Sequence, residues 1–180
     1  MLTDLQTKKL TRYFQVYDID DDGAIEASDF ERIVENVRML HGEDGNGQDE
    51  LSGAYRELWT RIAGADGDGD GAVDLDEWLA YWQVALESDE RFSEEVAGLT
   101  HRLFTVFDLD EDDVIGRSEF ADFFGVFGLS VDLAESVFDA LDTNDDSSIT
   151  RDELLQASSE FFRSDDVESG GNMLYGPYGA

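Results

Sequence analysis

Four segments constrain the fold of this 180-residue chain more than anything else in it: Asp18 to Asp29, Asp66 to Glu77, Asp108 to Glu119 and Asp142 to Glu153. Each sets oxygen-bearing side chains on alternating positions, places a β-branched residue at the eighth position and closes on a carboxylate at the twelfth. A repeat of this kind is one structural unit used several times, so it is read before local propensity. The flanking apolar residues recur at i, i+3, i+4 and i+7, the period of an amphipathic helix and not of a strand. Leu10, Tyr13, Phe14 and Tyr17 lead into the first segment, and Phe30, Ile33, Val34 and Val37 lead out of it. The register is the same at all four, with an apolar residue four places before the segment (Phe14, Ile62, Phe104, Phe138) and one just after it (Phe30, Trp78, Phe120, Leu154). The pattern predicts an all-α fold of eight helices, in four helix–loop–helix units.

The segments start 48, 42 and 34 residues apart. The extra length of the first interval is the polar, glycine-rich stretch His41 to Asp49, expected to be a flexible connection. Ser88, Asp89 and Glu90 read as a short turn, so the two pairs of units should pack into one body. The expected boundaries are 1–88 for the first pair, 89–163 for the second and 164–180 for a tail. Within that tail Ser164 to Gly171 is polar, but Met173, Leu174 and Tyr175 are apolar and are expected to fold back over the groove between the helices.

Composition removes most other functions. The 44 acidic residues against 12 basic ones give a formal charge of −32. Such a surface repels phosphate backbones and anionic head groups, and two adjacent lysines with scattered arginines form no basic patch, so neither nucleic acid nor membrane is an expected partner. The 41% of hydrophobic residues, with 12% aromatics, is too much apolar material for a disordered acidic chain. The absence of cysteine excludes a disulfide framework, a thiolate nucleophile and Cys-ligated metal. No apolar run reaches membrane-spanning length, and Asp4, Lys8, Lys9 and Arg12 interrupt the first twenty residues, so a monomeric cytoplasmic protein is expected.

The repeated segments suit a hard divalent cation. Calcium takes six to eight oxygens, and a twelve-residue loop supplies them from side chains at positions 1, 3 and 5, a backbone carbonyl at 7 and a carboxylate at 12. The candidate ligands are Asp18, Asp20, Asp22, Ala24 and Asp29 in the first loop, and Asp66, Asp68, Asp70, Ala72 and Glu77 in the second. The third offers Asp108, Asp110, Asp112, Val114 and Glu119, and the fourth Asp142, Asn144, Asp146, Ser148 and Glu153. Position 8 holds Ile25, Val73, Ile115 and Ile149, which suits a short strand pairing neighbouring loops. The second loop is the most regular. The first ends in Asp29, one methylene shorter than Glu and less able to bind through both oxygens, so it is expected to tolerate Mg²⁺. Asp113 and Ser147 stand where the first two loops have Gly23 and Gly71, at a position expected to need a positive φ. Thr150 and Glu153 also have the spacing of a capping box.

These residues resemble the EF-hand family over most of the chain, from about Leu2 to Phe162. The resemblance implies four EF-hands in two pairs with loop-to-loop β pairing, and up to four Ca²⁺ ions. Four hands, a long first interval and no extended linker look like the sarcoplasmic calcium-binding protein and calerythrin group, which implies an intracellular calcium buffer or carrier and not an enzyme. The alternative is a calcium sensor that regulates a protein partner through an apolar groove. Sensors of the calmodulin type use Met-rich grooves, whereas this chain has three methionines and fills its apolar faces with Phe, Trp and Tyr. Coelenterazine photoproteins of the same family use histidine with tyrosine and tryptophan, but here the histidines are His41, in the polar connection, and His101, expected to be a surface or packing residue.

Overall fold

A computed structural model describes residues 1–41 and 48–178 of the chain; residues 42–47, within the expected flexible connection, lie outside it. Among the described residues the α-helices are α1 (Asp4–Tyr17), α2 (Ala27–His41), α3 (Gln48–Ile62), α4 (Leu75–Glu87), α5 (Asp89–Phe92), α6 (Gly98–Phe107), α7 (Arg117–Val126), α8 (Val131–Leu141) and α9 (Arg151–Arg163). The expected single helix entering the third loop is three pieces, because a π-helical turn over Ser93–Ala97 joins α5 to α6. The turn between the pairs is shorter than the sequence suggested. Ser88 alone breaks the helix, and its Oγ accepts the N–H of Arg91 to start the next one, leaving Asp89 and Glu90 already helical.

The starts follow local chemistry. Thr3 and Gln6 at α1, Asp74 and Glu77 at α4, and Thr150 and Glu153 at α9 form capping boxes, each satisfying two otherwise orphaned N–H groups. The loops pair in twos. Strand β1 (Ala24–Ile25) runs antiparallel to β2 (Val73–Asp74), and β3 (Val114–Gly116) to β4 (Ser148–Thr150). Position 8 faces position 8 or its neighbour's equivalent in both ladders, Ile25 opposite Val73 and Ile115 opposite Ile149, and all four side chains are buried.

One apolar core runs through both halves. Helix α1 packs on α4 and also on α9, α2 on α7, and α3 on α6. Aromatic rings carry the contact between halves: Trp82 stacks on Phe162 with centroids 4.5 Å apart, Tyr17 meets Phe127 edge-on at 5.7 Å, and Tyr13 meets Phe162 at 5.5 Å. Burying such a ring stabilises the fold by about 1.5–3 kcal/mol, with about 0.5–1.5 kcal/mol more for each well-oriented pair. Trp78 is fully buried and its indole N–H donates to the Leu10 carbonyl at 3.0 Å, tying α4 to α1.

The tail lies against this core. After α9 the chain makes a short 3₁₀ turn over Gly170–Met173, with Leu174 and Tyr175 buried beyond it. Tyr175 stacks on Tyr13 at 4.4 Å, and its carbonyl accepts from Arg12 Nε at 2.9 Å. Gly171 is required here, since a Cβ would lie 2.5 Å from the Ala157 carbonyl oxygen.

Candidate metal centres

Each loop is folded by its own carboxylates. At position 1, one oxygen of the aspartate accepts the N–H of position 6 in all four loops: Asp18 from Gly23 at 3.0 Å, Asp66 from Gly71 at 3.0 Å, Asp108 from Asp113 at 3.1 Å and Asp142 from Ser147 at 2.9 Å. The acids at position 5 accept the N–H of position 7, as Asp22 does from Ala24 and Asp70 from Ala72. These bonds bend the backbone round a centre, so that the remaining lone pairs converge. Asp18, Asp20 and Asp22 bring oxygens within 4.8 Å of one another, as do Asp66, Asp68 and Asp70, and Asp108, Asp110 and Glu119. Among the described residues the fourth loop forms no such all-carboxylate group; its position 3 is the neutral Asn144, whose Oδ1 accepts the Asp146 N–H at 2.9 Å.

The sharp turn needs two left-handed residues, and only one was legible in advance. Position 6 has positive φ throughout: Gly23 (92°), Gly71 (94°), Asp113 (66°) and Ser147 (70°). Position 4 has it as well, at Asp21 (58°), Gly69 (79°), Glu111 (59°) and Asp145 (59°). Consecutive acids and glycines gave position 4 no distinctive sequence signal. Aspartate tolerates this region better than most non-glycine residues, as at Asp21, Asp113 and Asp145, whereas Glu111 and Ser147 hold it at greater cost.

Position 12 closes each loop. Glu77 accepts from Gly67 at 2.8 Å and from Asp74 at 3.1 Å, and Glu119 from Leu109 and Gly116, both at 2.8 Å. Glu153 takes the Thr150 N–H at 2.9 Å and the hydroxyls of Thr150 and Thr143. Burial by itself would raise the Glu153 pKa, but these hydrogen bonds outweigh it and the carboxyl sits below its ordinary value. In the fourth loop the Ser148 hydroxyl likewise holds Asp146 low. Asp29 makes the same pair of contacts as the glutamates despite its shorter chain, accepting from Ile19 at 3.1 Å and Glu26 at 2.8 Å. It does so only by lying deeper, at 1% exposure, and burial raises its pKa.

Sequence reasoning missed one participant. Arg32, on α2, places Nη1 2.7 Å from Asp20 Oδ2, so a position-3 oxygen of the first loop already faces a cation of the chain itself. The signal was an arginine one turn after the closing acid. His101 stands outside every loop, its ring nitrogen 3.1 Å from Arg151.

The donor set is oxygen throughout, carboxylate-rich and bent round a common centre, which fits a hard divalent cation and no soft metal. Comparison with known proteins agrees. The EF hand family matches residues 11–34, 65–80 and 133–157. A sarcoplasmic calcium-binding protein from Hediste diversicolor is 32% identical over 179 residues, covering 97% of this chain and 99% of that one. The chain is an EF-hand protein of the sarcoplasmic calcium-binding group. Calerythrin from Saccharopolyspora erythraea is 26% identical over 166 residues, covering 89% of this EF-hand chain and 94% of its own length. The solved structure of a Streptomyces coelicolor calcium-binding protein superposes with a TM-score of 0.73 at 26% identity, covering 89% of this chain and 99% of that one.

Proposed function

We propose that this EF-hand protein is a calcium buffer or carrier that holds up to four ions, one in each loop, on the residues named for positions 1, 3, 5, 7 and 12. The observation that carries this reading is the occupation of its own groove. A sensor opens an apolar groove for a target helix. Here Leu174 and Tyr175 are both buried, Tyr175 against Tyr13 and Phe161, and the cavity they line together with residues such as Leu103, Phe107 and Phe123 is about 30 Å³, room for a water or two. Rigid, interlocked aromatics favour one permanent packing over re-packing around many partners.

The loops divide the work. The second, the one loop that combines a glycine at position 6 (Gly71) with a glutamate at position 12 (Glu77), is the strongest calcium site. The first, contracted around Asp29 and countered by Arg32, also takes Mg²⁺, the smaller ion. Calorimetric titration of chelator-stripped protein at physiological Mg²⁺, with an apolar-surface dye followed in parallel, tests the proposal. Three or four tightly bound ions without a dye response support a buffer; micromolar binding with calcium-dependent dye uptake overturns it.

A second reading has one observation in its favour. The Streptomyces coelicolor relative is described in connection with prokaryotic calcium-mediated regulation, which makes a sensor acting on a dedicated protein partner the alternative that the dye titration separates.

A further inference from the structure

The two hands of the C-terminal pair are tied together by a reciprocal contact that has no counterpart among the described residues of the N-terminal pair. Arg117 occupies position 10 of the third loop, at the start of α7, and its guanidinium lies over the ring of Phe138 with 4.4 Å to the centroid. Phe138 is on α8, four residues before the fourth loop. Arg151 occupies position 10 of the fourth loop, at the start of α9, and lies 4.1 Å over the ring of Phe104. Phe104 is on α6, four residues before the third loop. Each arginine therefore leaves the far end of one loop and grips the near end of the other.

Both grips are reinforced. Arg117 Nη1 is 2.6 Å from Asp139, next to the ring it covers. Arg151 Nη1 donates to the His101 carbonyl and the Thr105 hydroxyl, both at 3.3 Å, and Nη2 lies 4.0 Å from Asp113 in the opposite loop. The gripped residues also touch the ligands. The Phe104 carbonyl accepts the N–H of Asp108 at 2.9 Å, and the Phe138 carbonyl that of Asp142 at 2.9 Å, so each ring belongs to the turn that carries the first ligand of its loop. The contacts close a circuit: third loop, Arg117, Phe138, Asp142, fourth loop, Arg151, Phe104, Asp108 and back. In the N-terminal pair position 10 is Ala27 and Leu75, which have no cation to offer; there the loops meet through the short β1–β2 ladder.

We propose that Arg117 and Arg151 are positioning residues that couple ion binding in the third loop to ion binding in the fourth. An ion drawing Glu119 inward shifts the start of α7, and Arg117 passes that shift to the helix turn holding Asp142; Arg151 returns it. A planar guanidinium stacked on a ring transmits a displacement that a flexible ammonium would not. The proposal rests on calcium occupying both loops.

The test is a double-mutant cycle between loops, read by the amide NMR signals of Ile115 and Ile149 during calcium titration of the full chain. In the unsubstituted protein, Glu153→Gln, which disables the fourth loop, is expected to weaken the third by about 5- to 20-fold, the lower part of the range of ordinary site-to-site coupling. In the Arg117→Met, Arg151→Met background the same Glu153→Gln change is expected to weaken it by less than about twofold. The single Arg117→Met protein supplies the same comparison should the doubly substituted chain not fold. Equal weakening in both backgrounds overturns the clamp while leaving the sites intact. No response of Ile115 and Ile149 in the unsubstituted protein overturns the C-terminal sites and the clamp with them.

Discussion

Lys9 Nζ donates a 2.9 Å hydrogen bond to Asn172 Oδ1, joining the first helix to the 3₁₀ turn of the tail inside the core. The same ammonium donates to the carbonyls of Glu160 at 3.1 Å and Ser164 at 2.8 Å, at the C-terminal end of α9, where a helix favours positive charge. One of only two lysines in the chain is thus fully buried and fixes the tail.

That burial gives stability a pH dependence. Desolvation lowers the Lys9 pKa from 10.5 to about 8, against the pull of Asp165 and Glu160. Between these values the unfolded chain binds more protons than the folded one, so this contribution to stability rises with pH from about 8 toward 10.5 and is lost as pH falls through 8. Tyr13, Tyr17 and Tyr175 act in the opposite sense, because burial raises their pKa values and ionisation of the unfolded tyrosines above pH 10 removes stability. Denaturant unfolding in saturating calcium should show a maximum near pH 10, where the two windows meet, and Lys9→Met should flatten the rising side; an unchanged slope in that variant rejects the assignment.

Releasing the tail should expose apolar surface. Truncation after Arg163 uncovers the face of Tyr13 on which Tyr175 stacks and the Phe161 ring that it meets edge-on. Binding of an anilinonaphthalene sulfonate dye should increase and the thermal midpoint should fall. Gly171→Ala tests the same contact without shortening the chain, since its Cβ would meet Glu160 Cβ at 2.6 Å as well as the Ala157 carbonyl. Overpacking of this kind costs about 1–3 kcal/mol. Dye binding equal to that of the unsubstituted protein in both variants would show that the tail covers nothing.

The legible and illegible parts of this fold differ in kind. The loops could be read because their ligand spacing and the helical period around them are local, so Phe14 and Phe30 announce the first hand without knowledge of any other. The left-handed residue at position 6 was legible where glycine marks it, but Asp21 and Glu111 at position 4 carry no such mark. The burial of Lys9 was hidden by its charge, although it sits four residues before Tyr13 and seven before Val16 on the buried stripe of α1. The π-helical turn at Ser93–Ala97 has no mark in the apolar period around it. Contacts such as Arg117 with Phe138 lie across the pair, beyond the reach of any single repeat.

Position 12 should set metal preference. Asp29→Glu lengthens the closing ligand of the first loop, so calcium affinity there should rise and competition by Mg²⁺ should fall, as read by calcium titration at fixed Mg²⁺. Glu77→Gln removes one anionic oxygen from the second loop and should weaken that site by at least 10- to 100-fold, roughly the loss that even an outer-shell partner brings. If Mg²⁺ competes equally before and after Asp29→Glu, the first loop owes its preference to something other than ligand length.

The strained turns should be open to improvement. Ser147 holds φ at 70° in the fourth loop, where the first two loops use Gly23 and Gly71. A left-handed conformation costs an ordinary L-residue about 1–2 kcal/mol, and glycine avoids that penalty while giving back part of it as extra freedom in the unfolded chain. Ser147→Gly keeps the N–H that donates to Asp142 at 2.9 Å, and the Ser147 hydroxyl makes no hydrogen bond among those described. The net gain should be about 0.5–1 kcal/mol, visible as a higher denaturation midpoint and a tighter fourth site in the same calcium titration. The control is Gly71→Ser in the second loop, which imposes the strain that Ser147 already bears and should move both quantities the other way; a null result in this reciprocal pair would mean that the loop backbone relaxes freely at position 6.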